Sequence, residues 1–153
     1  MKGNKHSSNF NKQAFIFANL FLIANKMQVV CDQYLEKSGL TTKQWFLIAA
    51  VQQFREEPPT LSEVGLLIGS SRQNVKQLAL KLEKNGFLKM EQDFRAVRLI
   101  LTDKCHDFWG KREIQDERYI ADLFKYLGEE DIESMSDNLR RVLKRLDEVS
   151  VEK

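Results

Sequence analysis

The sequence has few of the residues that build disulfide frameworks or metal sites, with two cysteines, two histidines and two prolines among 153 residues. Cys31 and Cys105 are far apart, so we expect reduced thiols rather than a disulfide framework. His6 and His106 are even farther apart, and no glycine-rich phosphate loop, carboxylate pair or nucleophile with a base is recognisable. We therefore expect a protein that is not an enzyme and has no metal or other cofactor.

A strong surplus of one charge is also missing, because the net charge is only +2. The charge is nevertheless uneven along the chain: +4 in residues 1–45, −1 in 46–59, +3 in 60–104 and −4 in 105–153. Charged residues make up 30% and aromatic residues 10% of the chain, which favours a single folded domain. A basic middle beside an acidic end indicates an anionic partner for the middle.

A long uninterrupted apolar run is not evident either. Asn19 interrupts the apolar stretch from Ala14 to Ala24, no small-residue cleavage site follows, and helical periodicity continues to Leu35. We predict that no segment reaches the apolar length needed to span a bilayer. The expected location is the cytoplasm, with no membrane partner.

The most informative segment present is Ser70 to Phe87, which has the pattern of an amphipathic helix. Val75, Leu78, Ala79 and Leu82 recur at helical spacing and form one apolar stripe. The opposite side carries amides and cations, since Gln73, Gln77, Leu80 and Lys84 lie there, flanked by Asn74, Lys76 and Lys81. These residue types bind base edges and phosphates in the DNA major groove, although an ordinary surface helix shares the pattern.

The residues before this segment predict a helix-turn-helix. Capping boxes at Thr41–Gln44 and Thr60–Glu63 predict the starts of two short helices, the first of them buried from Trp45 to Val51. Gly69 ends the second helix, and the Ser70 segment begins directly after it. A helix, a glycine-containing turn and a second helix with a polar outer face form this motif.

The residues after the segment predict a wing of two strands. Leu88 and Met90, and then Val97, Leu99 and Leu101, recur at every second position, and the charged hairpin EQDFRA separates them. Arg95 lies near the tip, where it could enter a narrow minor groove, and Asp93 could hold its side chain in place. An ordinary solvated turn pair is the alternative for these two residues.

Long helices are predicted at both ends. The first runs from about Phe10 to Lys37 and is apolar on several sides, which indicates a subunit interface. Thr102 or Asp103 caps a helix that extends to about Leu127, and a last helix opens with Glu129, Glu130 and Asp131.

The order of these elements resembles the MarR family of bacterial transcription regulators over nearly the whole chain. The matching positions are Leu40-Thr41 with Gln44-Trp45, Ser71-Arg72 with Val75, Leu82 to Phe87, Asp93-x-Arg95 and Leu101-Thr102. The resemblance implies a mainly α-helical fold with a small β-wing: one domain over residues 1–153, a winged helix-turn-helix at about 41–102 and dimerisation helices at about 10–37 and 103–150. Phe94 departs from the family, in which a charged or polar residue is more usual.

The expected function is that of a dimeric, sequence-specific DNA-binding regulator, a repressor released by a small ligand. The partner is double-stranded DNA with a pseudo-palindromic and A·T-rich sequence, since Gln and Asn favour adenine. The predicted DNA-binding residues are Ser71, Arg72, Gln73, Asn74, Lys76, Gln77 and Arg95. The resemblance also implies a ligand crevice where the long helices meet the winged lobe, and Phe17, Phe21, Trp45 and Trp109 could line it, with plain core packing as the alternative for each.

Two alternatives keep the fold but change the function. One is a thiol-based redox sensor, for which Cys105 between Lys104 and His106 has a better environment than Cys31 on an apolar helix face. The other is a helical dimer that binds only proteins, which the presence of Arg72, Lys76 and Arg95 disfavours.

Overall fold

A computed structural model of the chain describes the backbone of residues 3–151 and the side chains of residues 8–150. Within that range it contains six α-helices and a two-stranded antiparallel sheet. The helices are α1 (Gly3–Leu35), α2 (Thr42–Val51), α3 (Leu61–Ile68), α4 (Arg72–Lys84), α5 (Asp103–Leu123) and α6 (Glu129–Val151). The strands β1 (Leu88–Asp93) and β2 (Ala96–Leu101) lie between α4 and α5. The predicted mainly α-helical fold with a β-wing is confirmed.

The contacts divide the chain into two units, Met1–Asp107 and Phe108–Lys153. The first unit contains the buried core, in which α2, α3 and α4 pack on one another and on the hairpin. The largest fully buried side chains are those of Leu47, Ile48, Leu61, Leu82, Leu88, Leu99, Val64, Val75 and Cys105. This core holds the helix-turn-helix and the wing as one body, because α4 contributes to it and also carries the predicted DNA-binding face.

Both predicted capping boxes are present. At the start of α2, Gln44 N donates to Thr41 Oγ1 at 3.3 Å and Thr41 N donates to Gln44 Oε1 at 2.9 Å. At the start of α3, Glu63 N donates to Thr60 Oγ1 at 3.2 Å and Thr60 N donates to Glu63 Oε2 at 2.7 Å. The backbone hydrogen bond from Thr60 also lowers the pKa of Glu63. The reciprocal hydrogen bonds of the two boxes fix where both helices begin.

Asp32 connects α1 to α2. Thr42 N donates to Asp32 Oδ1 at 2.7 Å, and this bond lowers the pKa of the Asp32 carboxyl. Thr42 Oγ1 also donates to the Gln28 carbonyl oxygen at 3.3 Å. A carboxylate at the first turn of a helix stabilises the free N–H groups there, so α1 stabilises the start of α2.

Several predicted boundaries were wrong. The first helix starts before Phe10 and ends at Leu35, after which Glu36–Ser38 form a 3₁₀ turn. The helix that begins at Asp103 ends at Leu123 rather than Leu127. The predicted burial of α2 holds for one side only, because 49% of the Phe46 surface is exposed.

The predicted charged hairpin at EQDFRA is present, and most of this segment is strand. The strands extend into this segment and pair in register from Leu88–Leu101 to Asp93–Ala96. Only Phe94 and Arg95 lie between the strands. Backbone hydrogen bonds along the ladder stabilise the polar residues of the hairpin as strand, although those residues lack an apolar alternation.

Helix α1 exposes many large apolar side chains in the single chain. The exposed ones are Phe10, Phe15, Ile16, Phe17, Phe21, Leu22, Ile23, Val29 and Val30. The segment Ser8–Ser38 is long and apolar enough to cross a membrane by length and composition alone, so the prediction that no segment reaches that length was wrong. This is weak evidence for a membrane span, because core helices and signal sequences share the property.

Candidate nucleic-acid interface

Helix α4 has one buried and one exposed face, as its sequence predicts. Val75, Ala79 and Leu82 are fully buried, and Leu78 is half-buried. All the predicted DNA-binding residues of this helix are exposed, namely Ser71, Arg72, Gln73, Asn74, Lys76 and Gln77. The side chain of Ser71 accepts a hydrogen bond from Asn74 N at 3.2 Å and so caps the helix. Five of these six side chains remain available to a partner, while Ser71 orients the first turn.

The turn between α3 and α4 is very tight. Gly69 has a φ of 64°, in the left-handed region that glycine adopts readily. Ser70 N donates to the Gly65 carbonyl oxygen at 2.8 Å. A Cβ on Gly65 would lie 2.8 Å from the Ser70 carbonyl oxygen, so the turn packs directly on the backbone of α3. The position of Arg72, the first residue of α4, is thereby fixed by backbone contacts.

The other end of α4 is anchored just as firmly. Gly86 has a φ of 76°, which confirms the predicted helix stop, and its carbonyl oxygen accepts from Thr102 Oγ1 at 2.6 Å. Lys104 Nζ donates to the Asn85 carbonyl oxygen at 2.7 Å. Met90 N donates to Glu83 Oε1 at 2.8 Å, which ties the hairpin to the helix. The exposed face of α4 therefore has a defined position relative to the wing.

The tip of the wing consists of Phe94 and Arg95, and both side chains are exposed. Arg95 makes no ion pair within the part of the chain that the structure describes, and the same is true of Arg72 and Lys76. The sequence suggested that Asp93 holds the side chain of Arg95, but the structure does not show this contact. The Asp93 carboxylate accepts from Arg98 Nε at 2.7 Å instead, because Arg98 lies on the neighbouring strand.

Arg98 is a positioning residue that the sequence reasoning missed. Its guanidinium also donates to the Pro58 carbonyl oxygen at 2.7 Å and lies 3.5 Å from a Glu57 carboxylate oxygen. The hydrogen bond to Asp93 raises the pKa of Arg98 further above its ordinary value. Because Leu99 N donates to the Pro59 carbonyl oxygen at 2.8 Å, Arg98 and Leu99 together fasten the wing to the segment before α3. The available signal was a single cation within the apolar strand AVRLIL.

A groove of about 460 Å³ lies beside the exposed face of α4. Asn74 and Gln77 line it from α4, and Lys43 and Phe46 line it from α2. Lys43 was not among the predicted DNA-binding residues, yet its exposed ammonium borders the same surface. Amides, a cation and an aromatic ring therefore converge on this side of the first unit.

The predicted crevice residues are in different surroundings. Phe17 and Phe21 meet edge to face on α1, with ring centroids 5.2 Å apart, and they are 66% and 63% exposed. Plain core packing, the alternative reading of these two residues, is wrong for the single chain. Trp45 on α2 and Trp109 on α5 are half-buried. A ligand crevice at these four residues stays a prediction.

The thiols do not favour the redox alternative. Cys105, which the sequence made the better candidate, is fully buried, with 0% of its surface exposed. A sensor thiol must be reachable by the oxidant, so this expectation was wrong. Cys31 is half-buried on α1.

The sequence of this chain is similar to the sequences of known transcriptional regulators. No family model matches the chain. The transcriptional repressor MprA of Escherichia coli K12 is 24% identical over 121 residues, 77% of this chain and 69% of that protein. The transcriptional activatory protein BadR of Rhodopseudomonas palustris is 26% identical over 142 residues, 86% of this chain and 77% of that protein.

Solved structures of MarR-family regulators share the fold. The S. aureus MepR–DNA complex superposes with a TM-score of 0.72 at 23% identity, covering 85% of this chain and 97% of that one. The resemblance to the MarR family that the sequence predicts is confirmed by these structural neighbours.

Proposed function

We propose that this chain, which has the fold of the MarR-family regulators, is a dimeric, sequence-specific DNA-binding transcriptional regulator rather than an enzyme. The observation that carries the proposal is the state of α4. Its apolar stripe is buried and both ends are anchored, while Arg72, Gln73, Asn74, Lys76 and Gln77 are exposed. A rigid helix that presents amides and unpaired cations is suited to the major groove.

The expected contacts divide into two kinds. Gln73, Asn74 and Gln77 supply amides that can form paired hydrogen bonds with adenine, which favours an A·T-rich site. Arg72 and Lys76 supply charge for phosphates or guanine, and Arg95 extends from the wing toward the flanking minor groove, whose negative potential attracts arginine. The contacts of α4 would select the sequence, and the phosphate contacts would fix the register of the protein on the duplex.

The dimer is supported by the apolar surfaces that a single chain leaves exposed. Contiguous exposed apolar surface of this extent marks an interaction site in a folded protein. It covers α1 from Phe10 to Val30, and α6 also exposes an apolar side that contains Val142, Leu143 and Leu146. We propose that a second copy of the chain covers these apolar surfaces, because a dimer would place two α4 helices one DNA turn apart, where they would read a pseudo-palindrome. Size measurement by light scattering at working concentration tests this, and a monomer would contradict it.

DNA binding is tested by selecting bound duplexes from a random pool with the purified protein. We expect a dyad-symmetric, A·T-rich sequence whose half-sites are centred about one helical turn apart. If each protomer neutralises about four phosphates, log K against log salt should have a slope near −7. A flat salt dependence, or a pool without an enriched sequence, would remove the proposal.

We propose repression with release by a small ligand as the mode of control. The similar proteins include one named a repressor and one named an activatory protein, so reporter expression with and without this chain decides the direction of control. The chain has only two tryptophans, Trp45 and Trp109, and both belong to the predicted crevice. Tryptophan fluorescence during titration with small aromatic compounds therefore reports on ligand binding there. A ligand that changes the fluorescence but leaves DNA affinity unaltered would contradict release, because coupling between two sites is reciprocal.

A further inference from the structure

Phe94 combines two properties that rarely occur together. Its φ is 48°, and it is the only residue other than glycine with a positive φ among those that the structure describes. Its side chain is 98% exposed, the highest value among the large exposed apolar side chains. A bulky side chain at positive φ is a genuine conformational outlier, and burial does not compensate for it here.

The position of Phe94 in the hairpin turn explains why its backbone conformation is strained. Phe94 is the first of the two residues between paired Asp93 and Ala96, and a positive φ at this turn position is where hairpins favour glycine. The turn is nevertheless well determined. Gln92 Nε2 donates to the Phe94 carbonyl oxygen at 2.8 Å, and Asp93 is held by Arg98 at 2.7 Å. The fold therefore tolerates the aromatic ring at the tip without using it in packing.

The residue next to Phe94 indicates which kind of partner the ring is suited to contact. Arg95 follows directly, is exposed and is unpaired within the described chain, so the tip presents an aromatic ring beside a guanidinium. Arginine is attracted into a narrow minor groove by its negative potential. Apolar side chains such as phenylalanine insert between base steps from the same groove and kink the duplex. One tip thus carries two kinds of side chain that are suited to a minor groove.

We propose that Phe94 is a minor-groove wedge that partly unstacks a base step beside the sequence read by α4. The inference rests on the proposed function, because it requires that the wing reach DNA. It adds a source of specificity that needs no base-edge contact. Flexible pyrimidine–purine steps unstack most readily, so the protein should prefer TA or CA steps where the tip enters.

The test uses the full-length protein and a duplex enriched from a random pool by the wild-type chain, with 2-aminopurine placed in turn at the flanking steps. Binding of the wild-type protein should raise the fluorescence at one step in each flank, because 2-aminopurine brightens when it unstacks. Phe94→Gly and Phe94→Asn both accept a positive φ, so both should fold, with urea midpoints no lower than that of the wild type. Each should lose the fluorescence rise and bind about a hundredfold more weakly, because the dimer loses one stacking contact in each flank and each contact contributes about tenfold.

Two further variants separate the wedge from a general effect of exposed aromatics. Phe94→Trp keeps a stacking ring and should retain the fluorescence rise. Tyr126→Ala removes a ring that is 91% exposed in the other unit, and it should change neither fluorescence nor affinity. If Phe94→Gly binds the enriched duplex within twofold of the wild type with the fluorescence rise intact, the wedge is overturned and the proposed function stands. A wild-type chain that enriches no duplex overturns both.

Discussion

Gly65 offers the sharpest test of how the turn before α4 fixes the position of that helix. Replacing it with alanine adds one Cβ, which would lie 2.8 Å from the Ser70 carbonyl oxygen and 3.6 Å from Arg72 N. Real Cβ atoms essentially never approach closer than 3.0 Å, so the backbone must shift, and ordinary contact at 3.4 Å requires a separation 0.6 Å larger. Both neighbours are backbone atoms in the turn of the helix-turn-helix, and they cannot rotate away as a flexible side chain would.

Overpacking of this kind costs about 1–3 kcal/mol of unfolding free energy. Gly65 also lies inside a helix, where alanine is favoured over glycine by about 1 kcal/mol, so the net loss is at most about 2 kcal/mol. For a chain of this length, each kcal/mol lowers the melting temperature by about 2–4 °C, so Gly65→Ala should melt up to about 8 °C below the wild type. DNA affinity should fall as well at temperatures where the variant is still folded, because the shift displaces Arg72 at the start of α4. Both proteins must be compared at equal concentration, since oligomers have concentration-dependent stability.

Gly110 provides the matched control. It lies inside α5, and a Cβ there meets nothing within 4 Å in this chain. Alanine is favoured over glycine within a helix by about 1 kcal/mol, so Gly110→Ala should melt above the wild type. The same substitution is thus expected to act with opposite signs at the two sites. A melting temperature of Gly65→Ala as far above the wild type as that of Gly110→Ala would refute the argument from close approach.

Three other perturbations have expected outcomes. Arg95→Ala should weaken binding to the enriched duplex and reduce the salt slope by about 1 per lost phosphate contact, with an unchanged melting temperature. Thr60→Ala removes the cap of α3 and should cost about 1 kcal/mol in urea unfolding, whereas Thr60→Ser should cost little. Asp32→Asn should destabilise the chain at neutral pH, because the hydrogen bond from Thr42 lowers the pKa of Asp32 below its ordinary 3.8. A lowered pKa contributes stability above that ordinary value and loses it as the pH falls through the folded-state pKa, so urea unfolding should show the two proteins converging in strong acid. A pH-independent difference would contradict this assignment.

The anchoring of α4 has a consequence for binding affinity. The helix is tied to α3 through the Gly65–Ser70 contact, to the hairpin through Glu83 and to the start of α5 through Lys104 and the Gly86–Thr102 bond. A helix that is already fixed loses little conformational freedom when it meets DNA, so more of the contact energy remains as affinity.

Local features were predictable from the sequence. The capping boxes at Thr41 and Thr60, the stop at Gly86 and the alternation of buried and exposed positions on α4 all depend on residues within one or two helical turns. Their hydrogen bonds close over three or four residues, so the sequence specifies them without knowledge of the rest of the chain. The order of these local elements was sufficient to predict the winged helix-turn-helix.

Only the tertiary structure decided the contacts between elements. Asp93 could pair with either arginine near it in sequence, and cross-strand geometry selected Arg98. Cys105 was the better thiol candidate because Lys104 and His106 are its neighbours in sequence, but the core of the first unit buries it. Phe94 was visible as an unusual residue, yet its positive φ follows from the register in which Asp93 pairs with Ala96. Strand pairing and core packing join residues through space, so the sequence alone determined which segments are helices and wing, and the assembled fold determined which side chains reach the surface.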